Sequence, residues 1–307
     1  MYLVLKRLIP PVLFIALPSM SIAQQNIQLS RKYRKNEISR YRMTTNVVHN
    51  GKWQSTIVAI CELRTVTDSA NIPYEEVKWI SKKVYTAKDS TDKSSQLDRT
   101  LPYRISLHPN GKLEIPPIRD AEMTGEITDF NTFFVAISPK LGIGSLQKRG
   151  DKFIKPDNVQ GNFANGKDIL KGEDCLAVTS TLLVIDKNKA VIQTDFQPPS
   201  VNCLNYYSKD MGLPVAGDTI NNFQMVRAAS GKVNLFYGKE YFLINSTVST
   251  KDGKLQQASM TNALRLNLKL NCSPDYTDCQ NTFPFSIYRT ISLELLPMEN
   301  REDVTLE

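Results

Sequence analysis

Few residues in this chain are of the types that do chemistry, and none of them stands in a spacing that commits it to one reaction. Two histidines occur, His49 and His108, each beside a predicted turn and neither in an H-E-x-x-H or similar arrangement. The commonest general base and the usual zinc ligand therefore have no companions in sequence, and no metal or other cofactor is expected. Gly142-Ile143-Gly144-Ser145 lacks the G-x-S-x-G order that raises a serine on a strand-to-helix elbow. No Walker or dinucleotide-binding glycine pattern occurs. Paired carboxylates are the remaining catalytic device, because a glycosidase-type hydrolase needs only two Asp or Glu brought together by folding. Glu75-Glu76 and Glu299 with Glu302-Asp303 are close in sequence and read as surface charges.

The chain has five cysteines. Cys272 and Cys279 flank a short polar loop between strand candidates and are the first expected disulfide; Cys175 with Cys203 is the second. Cys61 is left over and falls on the strand face shared by Trp53, Ile57 and Ala59, so a buried free thiol is expected there.

Disulfides imply an oxidising compartment, and the amino terminus agrees. Lys6 and Arg7, an apolar run over 8–17 and the small residues Ser21-Ile22-Ala23 form a secretory leader with cleavage near Ala23. The apolar run is short and proline-broken for a membrane span, and no later segment is long enough for one. A periplasmic or extracellular protein that does not span a membrane is expected. Removing Lys6 and Arg7 lowers the formal charge from +7 to +5, which excludes a strongly basic nucleic-acid binder. The basic run Arg31-Lys32-Tyr33-Arg34-Lys35 could meet an anionic surface, and as a solvated lead-in to the first strand it needs no partner.

The elements that must position these residues are β-strands, in a composition of 41% hydrophobic and 22% charged residues ordinary for a globular protein. Asn50-Gly51 lies between two β-rich runs, a strong hairpin signal. A two-residue loop pairs odd with even positions and sets Arg42 against Ala59. A three-residue loop at His49-Asn50-Gly51 pairs Val47 with Trp53, Met43 with Ile57 and Tyr41 with Ala59, giving one apolar face, and is the register expected. The same device around Pro109-Asn110-Gly111 pairs Leu107 with Leu113 and Ile105 with Ile115. Around Lys251-Asp252-Gly253 it pairs Ile244 with Met260 and Ser246 with Ala258.

Between these hairpins, Phe130, Phe133, Phe134, Ile137 and Leu141 recur at helical spacing over 129–141, with Pro139 as its end. Gly142, Gly144 and Gly150 then mark a junction near residue 148. Strands follow over 175–185, 190–196, 222–229, 233–237 and 241–261, with 158–171 polar and 205–219 irregular. Leu264, Leu266, Leu268 and Leu270 make a one-faced strand, and 285–295 the last. The domain reading is a leader at 1–23, a β-rich half at 24–148, a second at 149–298 and a flexible tail at 299–307. Asn245 and Asn271 match the glycosylation sequon.

Long antiparallel hairpins, a Phe-rich helix and a secretion signal together resemble the lipoprotein-carrier type of half-barrel. In that architecture a curved sheet holds acyl chains beneath helical lids. The stretch 238–295, with Asp252-Gly253-Lys254, Cys272, Cys279 and Ile287-Tyr288-Arg289-Thr290-Ile291, also resembles the ends of uncharacterised secreted bacterial β-rich proteins. The fold expected is mainly β: long antiparallel hairpins forming a curved sheet or half-barrel, in two related halves or one, with one short amphipathic helix. The function expected is a non-enzymatic envelope or extracellular protein that binds a protein partner by strand edges or loops. A carrier of lipid or another apolar ligand is the alternative. Tyr41, Met43, Trp53, Ile57, Phe130, Phe133 and Phe134 would then line its cavity. A His-independent hydrolase is the third reading.

Overall fold

The computed structural model describes residues 29–113, 123–162, 168–197, 205–206, 222–227, 231–273 and 278–297. The expected leader at 1–23, Ile115, Cys203 and the expected tail at 299–307 lie outside them, as does the side chain of Cys175, so the second expected disulfide falls there too.

Thirteen described strands form one antiparallel sheet: β1 (Ile38–His49), β2 (Lys52–Thr67), β3 (Pro73–Thr86), β4 (Ser90–Asp92), β5 (Tyr103–Ile105), β6 (Lys152–Asn162), β7 (Asp168–Ile185), β8 (Lys189–Gln197), β9 (Asn205–Tyr206), β10 (Asn222–Arg227), β11 (Val233–Ser249), β12 (Leu255–Cys272) and β13 (Asn281–Leu296). The main path runs β4-β3-β2-β1-β13-β12-β11-β8-β7-β6, open at both ends, with β5 on β3, β9 on β7 and β10 on β11. Strands from both sides of residue 148 join in it, because β13 lies beside β1.

The first hairpin corrects the expected register. Asn50 and Gly51 both take positive φ, 48° and 76°, the pair of conformations a two-residue turn requires. His49 therefore pairs with Lys52 and Val48 with Trp53. A bulge then leaves Gln54 without a partner and shifts the register, so that Met43 pairs with Ala59 and Tyr41 with Cys61. Odd positions still share the apolar face beyond the bulge. Trp53 precedes it and is carried to the other face with Val48.

The second hairpin is wider than expected, the Ser106 N–H donating to the Lys112 carbonyl at 2.9 Å so that residues 107–111 form the loop. The turn closes from the Gly111 N–H to the His108 carbonyl at 2.8 Å, and Ile105 rather than Leu107 bridges Leu113. The third has the expected pairs, Ile244 with Met260 and Ser246 with Ala258. The segment expected to be polar over 158–171 carries the end of β6 and the start of β7. In 205–219, Asn205–Tyr206 pairs with β7 as β9.

Helix α1 spans Thr124–Ala136, beginning and ending five residues before the expected limits. The extended Ser138 that precedes Pro139 stops it, and Pro139–Leu141 forms a separate 3-10 turn. Phe130, Phe133, Phe134, Ile137 and Leu141 are all buried, as their spacing predicts. The N-terminal end of α1 reaches β3 through Glu126 and Lys82, and its C-terminal end reaches β8 through Ala136 and Thr194. Those strands are six steps apart, about 29 Å across a flat sheet. Glu126 and Ala136 are only about 15 Å apart along the helix, so the sheet curls toward α1.

The basic lead-in is only partly solvated. Lys32, Arg34 and Lys35 are exposed, but the Arg31 side chain is 2% exposed and ion-paired with Glu37 at 2.8 Å and with the buried Glu75 at 2.9 Å. The Lys32 N–H donates to the Asp252 carbonyl, and Lys254 closes the cluster on Glu37 and on Ser39. At Gly253 the chain has φ +65°, and a Cβ would stand 2.5 Å from the Ser30 carbonyl oxygen. The residue at that corner is glycine because the lead-in crosses directly over it. Cys61 is a buried free thiol whose ionisation burial opposes, and the Cys272–Cys279 disulfide closes the loop between β12 and β13.

Candidate functional site

The inner face of the sheet, under α1, is where the sequence places an apolar ligand. Tyr41 and Met43 from β1 meet Phe130, Phe133 and Phe134 from α1, all five no more than 2% exposed. The Tyr41 ring lies edge-on to Phe130 at 6.1 Å and to Phe134 at 6.0 Å, and Trp79 edge-on to Phe130 at 5.6 Å. The Tyr41 hydroxyl donates to the Leu255 carbonyl at 2.7 Å. These rings occupy the space between helix and sheet with one another. Ile57 is on this face, half-buried opposite Thr45, whereas Trp53 is not on it at all.

Beside the aromatic core the same interface is polar. Glu126 pairs with Lys82 at 2.9 Å, and Arg289 donates to Asp129 at 2.9 Å and to the Asn262 side-chain carbonyl at 2.8 and 3.0 Å. Asn262 in turn donates to Glu240 at 2.7 Å. The two carboxylates that folding brings together on α1 are thus each held by a cation. Burial pushes the Asp129 carboxyl up to about 6 against the pull of Arg289. A carboxyl raised in the folded state adds stability below its unfolded value, and that contribution fades as pH rises through the folded one. Unfolding free energy is expected to fall between pH 4 and pH 7 by on the order of 3 kcal/mol more in the wild type than in Asp129→Asn. Urea titrations across that range check it; equal slopes in both proteins would contradict it.

Of the other sequence candidates, Glu75 is buried against Arg31 and is not a surface charge, while Glu76 pairs loosely with Arg104 at 3.7 Å. His49 packs on Phe285 at 5.3 Å, and His108 Nδ1 accepts from the Asn110 N–H. A cavity lined by Ser106, His108, Ser138 and Lys140 has a volume of 20 Å³, room for about one water. Among the described residues no group of three or more His, Cys, Asp and Glu could hold a metal ion.

The outer face of the sheet is different in kind. One register line crosses five strands through Trp53 of β2, Val48 of β1, Tyr288 of β13, Ala263 of β12 and Tyr241 of β11. Paired residues share a face, so the three aromatic side chains stand in one lane. Trp53 is 44% and Tyr288 45% exposed, well above the core aromatics. The next lane runs from the exposed Tyr85 of β3 through Thr56, Asn46, Thr290 and Thr261 to the exposed Leu243. Thr56 donates to Asn46 at 2.6 Å and Asn46 to Thr290 at 3.4 Å, which sets these side chains in a row. The third lane carries Val58, Thr44, Ser292, Ser259 and Asn245, and the fourth begins the charges with the Arg42–Glu294 pair.

Comparison with known proteins adds no identity. No known protein family matches the chain, and no curated protein matches it. Among solved structures, a chain of the Pseudomonas aeruginosa MucA/MucB complex aligns over 86% of this chain and 90% of its own, at 11% identity and a TM-score of 0.14. A likeness at that score carries no argument about fold or function. Among the described residues no helix is long and apolar enough to cross a membrane.

Sequence reasoning missed the aromatic lane because the register of the first hairpin decides it. With three residues in the loop Trp53 faces inward; with two and a bulge it faces out, beside Tyr288. Two signals were present: both Asn50 and Gly51 tolerate positive φ, and Tyr288 alternates with Ile287 and Arg289.

Proposed function

We propose that this is an exported, non-enzymatic binding protein that meets an envelope or extracellular partner through the outer face of its sheet. The observation that carries the reading is the lane of Trp53, Tyr288 and Tyr241 on a solvated face, while the inner face beneath α1 is filled by aromatic contacts. Exposed aromatic side chains gathered on one surface are the usual anchors of recognition, and they bring large contact area with little side-chain freedom to lose. Export is supported by the leader-like sequence at 1–23 and by the Cys272–Cys279 disulfide, of a kind that persists in oxidising compartments.

The reading favours partner binding over carriage of an apolar ligand because the side chains that would line a cavity are packed on each other. Trp53→Asp combined with Tyr288→Asp should lower retention on the envelope fraction of the host by tenfold or more, with circular dichroism unchanged. Undiminished retention of the double variant would overturn the proposal.

A further inference from the structure

Resting on that outer-face reading, we propose that the aromatic lane binds an extended, neutral, β-linked polysaccharide lying across the strands. Trp53, Tyr288 and Tyr241 come from alternate strands of the sheet, so they recur at about 10 Å intervals along a line of about 19 Å. Between them stand Val48 and Ala263, which are too short to rise between aromatic rings. The surface is therefore a gently convex track with three aromatic platforms.

A pyranose ring presents C–H bonds on its two faces and hydroxyls around its rim. Its faces stack on aromatic rings, and its rim needs uncharged donors and acceptors. In a β-1,4-linked chain each unit is turned over relative to the last, so the same face recurs at every second sugar. Aromatic platforms on every second strand match that repeat, and the whole lane fits a segment of about four sugars. The neighbouring lane supplies the rim partners: Thr56, Asn46, Thr290 and Thr261, followed by Thr44, Ser292, Ser259 and Asn245.

On one side of the lane, charge separates this ligand from a protein. From β2 to β11 no charged side chain stands in the aromatic lane or in the two lanes that follow it. On that side the first charges are paired within the sheet, Arg42 with Glu294 and Arg40 with Glu62 at 3.0 Å; on the opposite side of the aromatic lane stand Ser286, Arg265 and Lys239. A protein interface of this size uses a polar, charged rim to select its partner, and on the neutral side of the lane that rim is already occupied with itself. A neutral chain of sugars asks for none.

The experiment titrates the mature protein with chitohexaose, cellohexaose and the corresponding disaccharides, by calorimetry and by acrylamide quenching of tryptophan. The chain has two tryptophans, and only Trp53 is exposed, Trp79 being 3% exposed. Quenching therefore reports on the lane. Binding of at least one hexaose is expected, with protection of Trp53 and a disaccharide weaker by tenfold or more. Tyr288→Ala and Tyr241→Ala should each weaken the hexaose about tenfold, and Leu101→Ser, at an exposed residue outside the sheet, should leave it unchanged. Absence of binding by either hexaose at millimolar concentration overturns the polysaccharide proposal, as does binding that survives both tyrosine variants. If the hexaoses fail while Trp53→Asp/Tyr288→Asp still detaches the protein from the envelope, the outer-face reading stands and its partner is a protein. If neither effect occurs, both proposals fall.

Discussion

Phe130→Ala is expected to lower the unfolding free energy by about 4 kcal/mol. The side chain is 0% exposed and is touched on three sides, by Tyr41 at 6.1 Å, Trp79 at 5.6 Å and Phe134 at 4.9 Å between ring centres. Removing the ring forfeits its transfer from water and leaves a hole that α1 cannot close, because its two ends are fixed to β3 and β8. Denaturant titration of the variant measures this. The same measurement probes what the inner face is for. If the aromatic cluster is core, Phe130→Ala destabilises strongly and apolar compounds do not stabilise the wild type. If it lines a ligand space, the loss is below about 1 kcal/mol, since a wall facing a cavity has few contacts to lose.

Arg31→Met should cost about 3 to 4 kcal/mol at pH 7 and much less at pH 4. Arg31 donates to Glu75 through two nitrogens, at 2.9 and 3.3 Å, and both side chains are almost wholly buried. Burial already raises the Glu75 carboxyl above its ordinary range, with Arg31 pulling it back. Without the guanidinium, the folded protein at neutral pH must bury an uncompensated charge or hold a proton against the solvent. The other groups facing this carboxylate are Glu37, which repels it, and Lys254, which attracts it less strongly than Arg31. A carboxyl with a raised folded value is least harmful below its unfolded value, so the cost shrinks on acidification. Adding Glu75→Leu to Arg31→Met should recover most of the loss at pH 7, because an apolar pair replaces a broken ionic one. A single-variant cost below 1 kcal/mol at pH 7 would mean that the lead-in does not clamp the sheet.

How far the sequence reveals this molecule depends on the scale of the interaction involved. Strand character, the Phe stripe of α1 and the Ile244–Met260 register follow from local periodicity and turn chemistry, and the structure has all three. Pairing of Cys272 with Cys279 was equally local, seven residues apart with a polar loop between. What local pattern could not carry was the bulge at Gln54, one extra residue that returns the hairpin to register while turning Trp53 around. Nor could it place Arg31. A basic residue in a run of four cations reads as solvated until the fold sets Glu75, distant in sequence, against it. Both misplacements concern charges or aromatics whose surroundings come from other strands. The outer aromatic lane belongs to the same class, since its residues come from five strands and meet only through four successive registers.

The most direct test of recognition through the outer face is site-specific photo-crosslinking in the host compartment. A benzophenone side chain is placed at Tyr288 in one variant, at Leu101 in a second and at Phe133 in a third. The position in the lane is expected to give a stable adduct with envelope material, while the remote surface position gives none and the core position crosslinks only within the chain. Adducts from Phe133 to a lipid or other small apolar molecule, with none from Tyr288, would contradict the account and return the function to the inner face.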